Sequence, residues 1–463
     1  MNLPRSAPEQ QGIRSSAIIK FLDRAAEHKL ELHSFMLVKN GNVVSECWWQ
    51  PYGAQYRHQM FSLSKSFTSS AIGMLVEEGK VTVDTLLSGI FKDEFAEIGN
   101  RIDEKMERMT LKHLLMMGTG VEYEDWNGEN HIKAFLASHV RKEPGSSFYY
   151  NTLATYMQSA VVTRITGQKL VDYLKPRLFE PLGIDPYWEE DNAGINMGGF
   201  GLNVKTEDIA KLGQLYLQKG LWDGKRLISE QWVEAATSKQ IDNSPGRVLD
   251  WAQGYGYQFW RCVPQNVYRG DGAYGQYCIV MPDQNAVIAI TSNADMQLLL
   301  NDIWEILLPE IEGTTVGAPG GDYDKLVKIS GELSYLKTNP SPLPFPQFRK
   351  EYKQVDGTLK VYFEFSGGEC IFEYDFGSGP KVFSIENGTW TKGVIRYSDH
   401  GNKHFRIQTY GEWPDENTFK MTLWCYESPV HEDITALFNA DKSEVELILH
   451  FAGEQHIKYK SCE

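Results

Sequence analysis

Met60-Phe61-Ser62-Leu63-Ser64-Lys65-Ser66-Phe67-Thr68 sets a hydroxyl and an amine three residues apart, which is one turn apart on a helix. From Ser62 onward the apolar residues Leu63, Phe67, Ala71, Met74 and Leu75 share a helical face, and Gly79 supplies a stop. Ser62 is therefore expected at a helix N-terminus with Lys65 on its side of the helix. The same spacing recurs in Ser334 with Lys337 and in Ser378 with Lys381. The first of these runs into Thr338-Asn339-Pro340 and the second contains Gly379-Pro380, so neither starts a helix.

Upstream, Ser15 or Ser16 can cap a helix carrying Ile18, Ile19, Phe21, Leu22, Ala25 and Ala26 at helical spacing. Residues 34–38 and 43–49 read as strands, and Asn40-Gly41 between them supplies the positive φ angles of a hairpin turn. Downstream, amphipathic runs near residues 153–165 and 206–218 read as helices. Residues 277–281 and 286–290 read as strands joined through the turn Pro282-Asp283-Gln284-Asn285. Residues 298–308 read as a closing helix. Strands at both ends with helices between them predict a mixed α/β unit whose sheet joins the start of this region to its finish.

The composition shifts after Ile311. Residues 313–321 and 340–346 are rich in glycine and proline and read as linker. Short alternating runs follow at residues 359–365, 370–376, 381–385, 405–409, 419–426, 445–451 and 456–460, the pattern of an all-β module, a small barrel or a sandwich. The expected division is a first domain at residues 1–312, a linker at 313–346 and an all-β domain at 347–463. A chain of 463 residues is long enough for two cores.

A net charge of -15 and a pI near 5.3 oppose binding to phosphate backbones or anionic lipid. No apolar run reaches the roughly 20 residues of a membrane span, and residues 1–8 lack a signal-peptide core. A cytoplasmic protein with a small-molecule or peptide partner is expected, its oligomeric state left open. The six cysteines form no C-x-x-C pair and have no histidine at a ligand spacing, so neither a metal nor a cofactor is expected.

A serine hydroxyl attacks well only when a base takes its proton. Histidine is the usual base, yet no histidine lies between His139 and His400, and the chain has no G-x-S-x-G elbow. A lysine can serve when desolvation or neighbouring positive charge leaves its amine neutral. Ser62 and Lys65 have the spacing for this, and a helix N-terminus adds partial positive charge where an oxyanion would form.

In this setting residues 5–310 resemble the class C serine β-lactamases and penicillin-binding proteins, with the D-Ala-D-Ala carboxypeptidases, family VIII-type esterases and D-aminopeptidases of the same fold. Ser62-Leu63-Ser64-Lys65-Ser66-Phe67-Thr68 is similar to the family's S-x-S-K-x-F/Y-T segment. Thr110-Leu111-Lys112-His113-Leu114-Leu115 with Gly118-Thr119-Gly120 resembles its T-x-x-x-L-L-x-H-T-S-G segment, with Met117 where histidine is common. Pro144-Gly145-Ser146-Ser147-Phe148-Tyr149-Tyr150 resembles the approach to the catalytic tyrosine. Glu180-Pro181-Leu182-Gly183-Ile184 and Gly198-Gly199-Phe200-Gly201 follow in the family's order.

The resemblance implies a β-lactamase/transpeptidase-like α/β (α+β) domain, with an antiparallel sheet and a helical subdomain, followed by the β module as a lipocalin-like barrel or a sandwich. It implies Tyr150 as the proton-shuttling tyrosine, with Tyr149 as the alternative register, and Thr152 at the asparagine position of Y-x-N. Arg269-Gly270-Asp271-Gly272-Ala273-Tyr274-Gly275-Gln276 resembles the strand that carries K-T-G or H-x-G, with Gly272 at the final glycine and Gly270 where the cation would stand. The backbone amides of Ser62 and Ala273 are the implied oxyanion hole. Thr152, Asp271, Gly272 and Tyr274 are the implied substrate contacts.

Asp271 and Arg269 either meet the charged ends of a substrate or pair with each other. Trp48, Trp49, Trp126, Trp251 and Trp260 are candidates for an acyl pocket, with core packing as the alternative. The expected activity is hydrolysis of a small ester or amide, D-amino-acid peptides included, through an acyl-enzyme on Ser62. The alternatives are β-lactamase or D,D-carboxypeptidase activity, and a catalytically inactive binding protein.

Overall fold

The computed structural model describes residues 2–126, 130–247, 249–311, 318–336, 343–375, 379–397, 403–450 and 455–462. These form two compact units: residues 1–48 with 57–333, and residues 49–56 with 334–463.

The first unit is built on a six-stranded antiparallel sheet. Its strands are β1 (Glu31–Lys39), β2 (Asn42–Trp48), β3 (Trp260–Arg261), β4 (Tyr268–Gly272), β5 (Gln276–Met281) and β6 (Ala286–Asn293), in the order β2-β1-β6-β5-β4-β3. The β1–β2 hairpin turns at Asn40 (φ 51°) and Gly41 (φ 77°), the double positive φ expected of Asn-Gly. β1 then pairs with β6, Phe35 opposite Ile290, so the sheet joins the start of the unit to its end as the strand pattern predicts.

The strands are buried along almost their whole length, because helices cover both faces. Helix α1 (Ser15–Glu27) and the helical run that starts at Met296 pack on each other. Helix α4 (Thr206–Leu217) lies across β1, β5 and β6. Gly213 lets it approach closely, since a Cβ there would fall 2.5 Å from Val287 Cγ1.

Two helices inside the unit carry the candidate chemistry. Helix α2 (Ser64–Glu77), reached through a 3-10 turn at Phe61–Leu63, is buried from Ser64 to Leu75. It packs against helix α3 (Thr152–Thr166). A helix buried all round needs partners for its hydroxyls. Ser66, Ser69 and Thr68 donate to the carbonyls of Gln258 (2.9 Å), Tyr257 (2.7 Å) and Gly198 (2.8 Å). These bonds fasten α2 to the loops that surround it.

Of the span read as linker, residues 313–317 and 337–342 lie outside the described residues. Between them is a helix, α6 (Gly321–Glu332, the helical run from Met296 to Ile311 counting as α5), which packs on α1 and β2 within the first unit. Ser330 Oγ lies 3.2 Å from Cys47 Sγ. Its sequence, Gly-Asp-Tyr-Asp-Lys-Leu-Val-Lys, buries little beyond Leu326, which is why glycine and charge masked the helical signal.

The second unit is a nearly closed all-β barrel of ten antiparallel strands. These are β7 (Phe348–Gln354), β8 (Lys360–Ser366), β9 (Glu369–Tyr374), β10 (Lys381–Glu386), β11 (Thr391–Tyr397), β12 (Lys403–Glu412), β13 (Thr418–Cys425), β14 (His431–Phe438), β15 (Glu444–Leu449) and β16 (Gln455–Ser461). Their order is β10-β9-β8-β7-β16-β15-β14-β13-β12-β11. The sheet curls back on itself where Thr409 Oγ1 of β12 donates to Ser384 O of β10 at 2.6 Å. Alternate residues such as Phe363, Phe365, Phe372, Phe419, Leu423 and Leu447 fill the interior.

Candidate active site

The stretch around Ser62 is shaped by backbone that ordinary residues avoid. Phe61 has φ 46° and Tyr274, across from it, φ 67°, both left-handed for bulky side chains. Their rings meet edge to face at 5.3 Å. Between them β4 comes against the start of the 3-10 turn: a Cβ on Gly272 would fall 2.1 Å from Met60 O and 3.2 Å from Leu63 N. Only glycine fits at that crossing. The loop after it is held from behind, because Gln276 Nε2 donates to Ala273 O (2.9 Å) and Ser292 O (2.8 Å). Ser292 Oγ donates to Tyr274 O at 2.8 Å.

Ser62 is half-buried, whereas Lys65 is 1% exposed. Lys65 Nζ lies 2.8 Å from Gly199 O, 3.1 Å from Ser62 Oγ and 3.4 Å from Thr152 Oγ1. Burial lowers its pKa to about 7, although the negative charges of Glu124 and Asp271 pull the other way. Gly199 is squeezed in place, a Cβ there falling 2.6 Å from Thr152 Cγ2. The glycine run that sequence reading treats as a landmark thus supplies a lysine contact.

Tyr150 directs its hydroxyl to the Ser62 side chain, while its ring lies 4.9 Å from Lys65 Nζ and stacks on Trp260 at 5.4 Å. Burial, with Asp271 adding to it, pushes its hydroxyl pKa well up, and the Ser62 hydrogen bond opposes this. Tyr149, the alternative register, is 37% exposed, with its amide on Met117 O. Asn151 caps α3 through Ala154 N (2.8 Å) and donates to Val121 O (3.2 Å), so the residue reaching Lys65 from this turn is Thr152.

Asp271 and Arg269 are both buried and pair with each other, Arg269 Nε donating to Asp271 Oδ2 at 3.0 Å. The guanidinium also stacks over Trp251 at 4.8 Å. This is the pairing alternative of the two readings. Tyr274, by contrast, is 41% exposed beside Phe61. Trp260 lines the site through Tyr150, and Trp126 lies near α3, 5.8 Å from Phe200.

Sequence reading missed Glu124. Its carboxylate accepts from Thr152 N (2.7 Å), Leu153 N (3.3 Å) and Trp126 Nε1 (2.9 Å), a negative charge on the exposed amides of a helix start. The usual cue is a capping residue adjacent in sequence, and Glu124 stands 28 residues away from Thr152. Among the described residues no group of three or more His, Cys, Asp or Glu is placed to hold a metal ion. Nor is any helix there long and apolar enough to cross a membrane.

The family model described as beta-lactamase matches residues 21–297. The chain belongs to the beta-lactamase family, and hydrolysis is the reaction class that goes with it. It is similar to the 6-aminohexanoate-dimer hydrolase of Paenarthrobacter ureafaciens, 24% identical over 287 residues that span 56% of this chain and 72% of that one. Of solved structures, a penicillin-binding protein homologue from Caulobacter crescentus is 17% identical, with a TM-score of 0.55 over 67% of this chain and 100% of its own. The octameric penicillin-binding protein homologue from Pyrococcus abyssi is 16% identical, with a TM-score of 0.51 over 96% of this chain and 99% of its own. At these identities the solved structures bear on the fold.

Proposed function

We propose that this protein is a serine hydrolase that forms an acyl-enzyme on Ser62 and cleaves a small amide or ester, with peptides of D-amino acids among the candidates. The observation that carries the reading is Lys65 Nζ at 3.1 Å from Ser62 Oγ with its pKa lowered to about 7. A neutral amine has two N–H bonds and one lone pair. Gly199 O can only accept, so it takes one N–H, and Thr152 Oγ1 is within reach of the other. The lone pair is then left for the Ser62 hydroxyl, the arrangement a general base requires.

As Ser62 Oγ attacks the carbonyl carbon, its proton passes to Lys65 and the carbonyl oxygen becomes an oxyanion. The amides of Ser62, at the start of the 3-10 turn, and of Ala273, at the end of β4, are the donors assigned to it. Tyr150, held protonated by its raised pKa, returns a proton to the leaving group as the tetrahedral intermediate collapses. Lys65 recharges Tyr150, and water releases the acyl group by the same steps. The relative's name, 6-aminohexanoate-dimer hydrolase, supports an amide as substrate.

Intact-protein mass after exposure to a fluorophosphonate tests the nucleophile. One adduct is expected on the parent protein, none on Ser62→Ala, and slower labelling on Lys65→Ala. A parent protein that takes no label and turns over no p-nitrophenyl ester would exclude the reading. Turnover of short esters, D-amino-acid amides and a chromogenic cephalosporin ranks the substrate classes.

A further inference from the structure

At the position on β4 where the resemblance would put a cation, a side chain would run into Leu63 and Ser66. A Cβ on Gly270 would fall 2.5 Å from Leu63 Cδ1 and 2.5 Å from Ser66 Oγ. Leu63 of the 3-10 turn and Ser66 of α2 occupy the space that such a cation would need. Arg269, next along the strand, is buried and held by Asp271. Among the described residues a cation other than Lys65 acts on Tyr150 from a different part of the chain.

Arg247 is exposed, on the turn closed by its own amide donating to Ser244 O at 3.2 Å. Its guanidinium carbon lies 5.5 Å from the centre of the Phe148 ring and 5.8 Å from that of Trp260. Trp260 in turn stacks on Tyr150. Among the described residues no carboxylate pairs with Arg247. Its charge reaches the catalytic candidates, working against the burial that raises the Tyr150 and Tyr255 hydroxyls. An arginine set over two aromatic rings, uncommitted to an acid, offers a planar two-pronged donor at the site's edge. The chain carries a net charge of -15, so an anionic substrate is repelled at long range and needs a local cation to be held.

We propose that Arg247, laid over Phe148 and Trp260 beside Tyr150, recognises a carboxylate on the substrate and makes substrates that carry a free acid near the scissile amide or ester the preferred class. This deepens the Ser62 reading and rests on it.

The test uses matched pairs of substrates, a short peptide or ester with a free carboxylate and its neutral carboxamide counterpart. The parent protein is expected to prefer the acid. Arg247→Ala is expected to cut the acid-to-amide ratio of kcat/KM by about ten- to a hundred-fold, the range for a charged hydrogen bond, with most of the change in KM. Arg247→Lys should recover part of the ratio, and Arg247→Glu should drop it further. Raising the salt should weaken the parent's preference, because the cation is exposed. A parent without preference, or variants that lose both substrates in equal proportion, would overturn the proposal. Fluorophosphonate labelling of the same variants separates the two failures: Ser62 that labels while the ratio stays put sinks Arg247 alone, and a parent that never labels sinks the nucleophile.

Discussion

Lys65 gives the sharpest expectation at the scale of single residues. Its amine falls from an ordinary 10.5 to about 7 in the folded chain. As a general base it works only when neutral, so kcat/KM should rise with pH through about 7 and level off above. A pH–rate profile flat from pH 5 to 8 would remove Lys65 from that role. The same shift acts on stability. Between about 7 and 10.5 the unfolded chain holds more protons on this group, so its contribution to stability climbs with pH, by up to about 1.4 kcal/mol per unit. Below about 7 the full cost of burying an ammonium remains. Lys65→Met is therefore expected to be more stable than the parent at pH 6, with the gap narrowing toward pH 10, as followed by urea denaturation. Motif order picks out Ser62, Lys65 and Tyr150 as candidates without coordinates, and the fold sets their side chains beside one another. The Asp271–Arg269 pairing was one of two readings open in the sequence, because residues two apart on a strand share a face, and the coordinates decide for it. Arg247 has no sequence signal; only folding brings it over Trp260.

Among elements, α3 ties the site together. It offers Thr152 to Lys65 at its first turn and takes Glu124 on its exposed amides. Glu124 also raises the Lys65 pKa. Glu124→Gln is expected to cost about 1 kcal/mol in stability and to move the acid limb of the pH–rate profile toward lower pH, which a paired profile of parent and variant measures. A limb that moves up, or stays, would disconnect Glu124 from the lysine. In the first unit α1 to α5 and the strands β1, β2, β5 and β6 could be read from pattern because each buries a regular face or lies wholly inside, whereas its shorter helices and β3 carry too few residues to show a period. In the barrel, β7 (Phe-Arg-Lys-Glu-Tyr-Lys-Gln), β11 and β14 escaped reading. β7 alternates exposed charge with few buried rings, and β14 opens with His-Glu-Asp before its apolar positions begin. The tertiary pairing of each strand outweighs its weak local pattern.

For the whole molecule, composition points to two cores but not to where the chain enters them. Residues 49–56, between β2 and the Ser62 stretch, belong to the barrel unit. There Tyr52 meets Trp424 of β13 edge to face at 6.0 Å and donates to Ser428 O at 3.1 Å, and Tyr56 lies 4.7 Å from Tyr426. We propose residue 333 as the later boundary, with 49–56 an early visit. Tyr52→Ala in the full chain is expected to cost a few kcal/mol and to quicken amide hydrogen exchange in Thr418–Cys425, read by mass spectrometry of the peptides covering it. Unchanged exchange there would return the segment to the first unit. The pairing of β1 with β6 carries a consequence for synthesis. Phe35 leaves the ribosome some 250 residues before Ile290, its partner across the sheet. Contacts this distant in sequence close late and slowly. A growing chain that has already made Ser62 and Lys65 still lacks Ala273 and the strand that carries it, so on the proposed mechanism the nascent protein stays inert until its own sheet is complete.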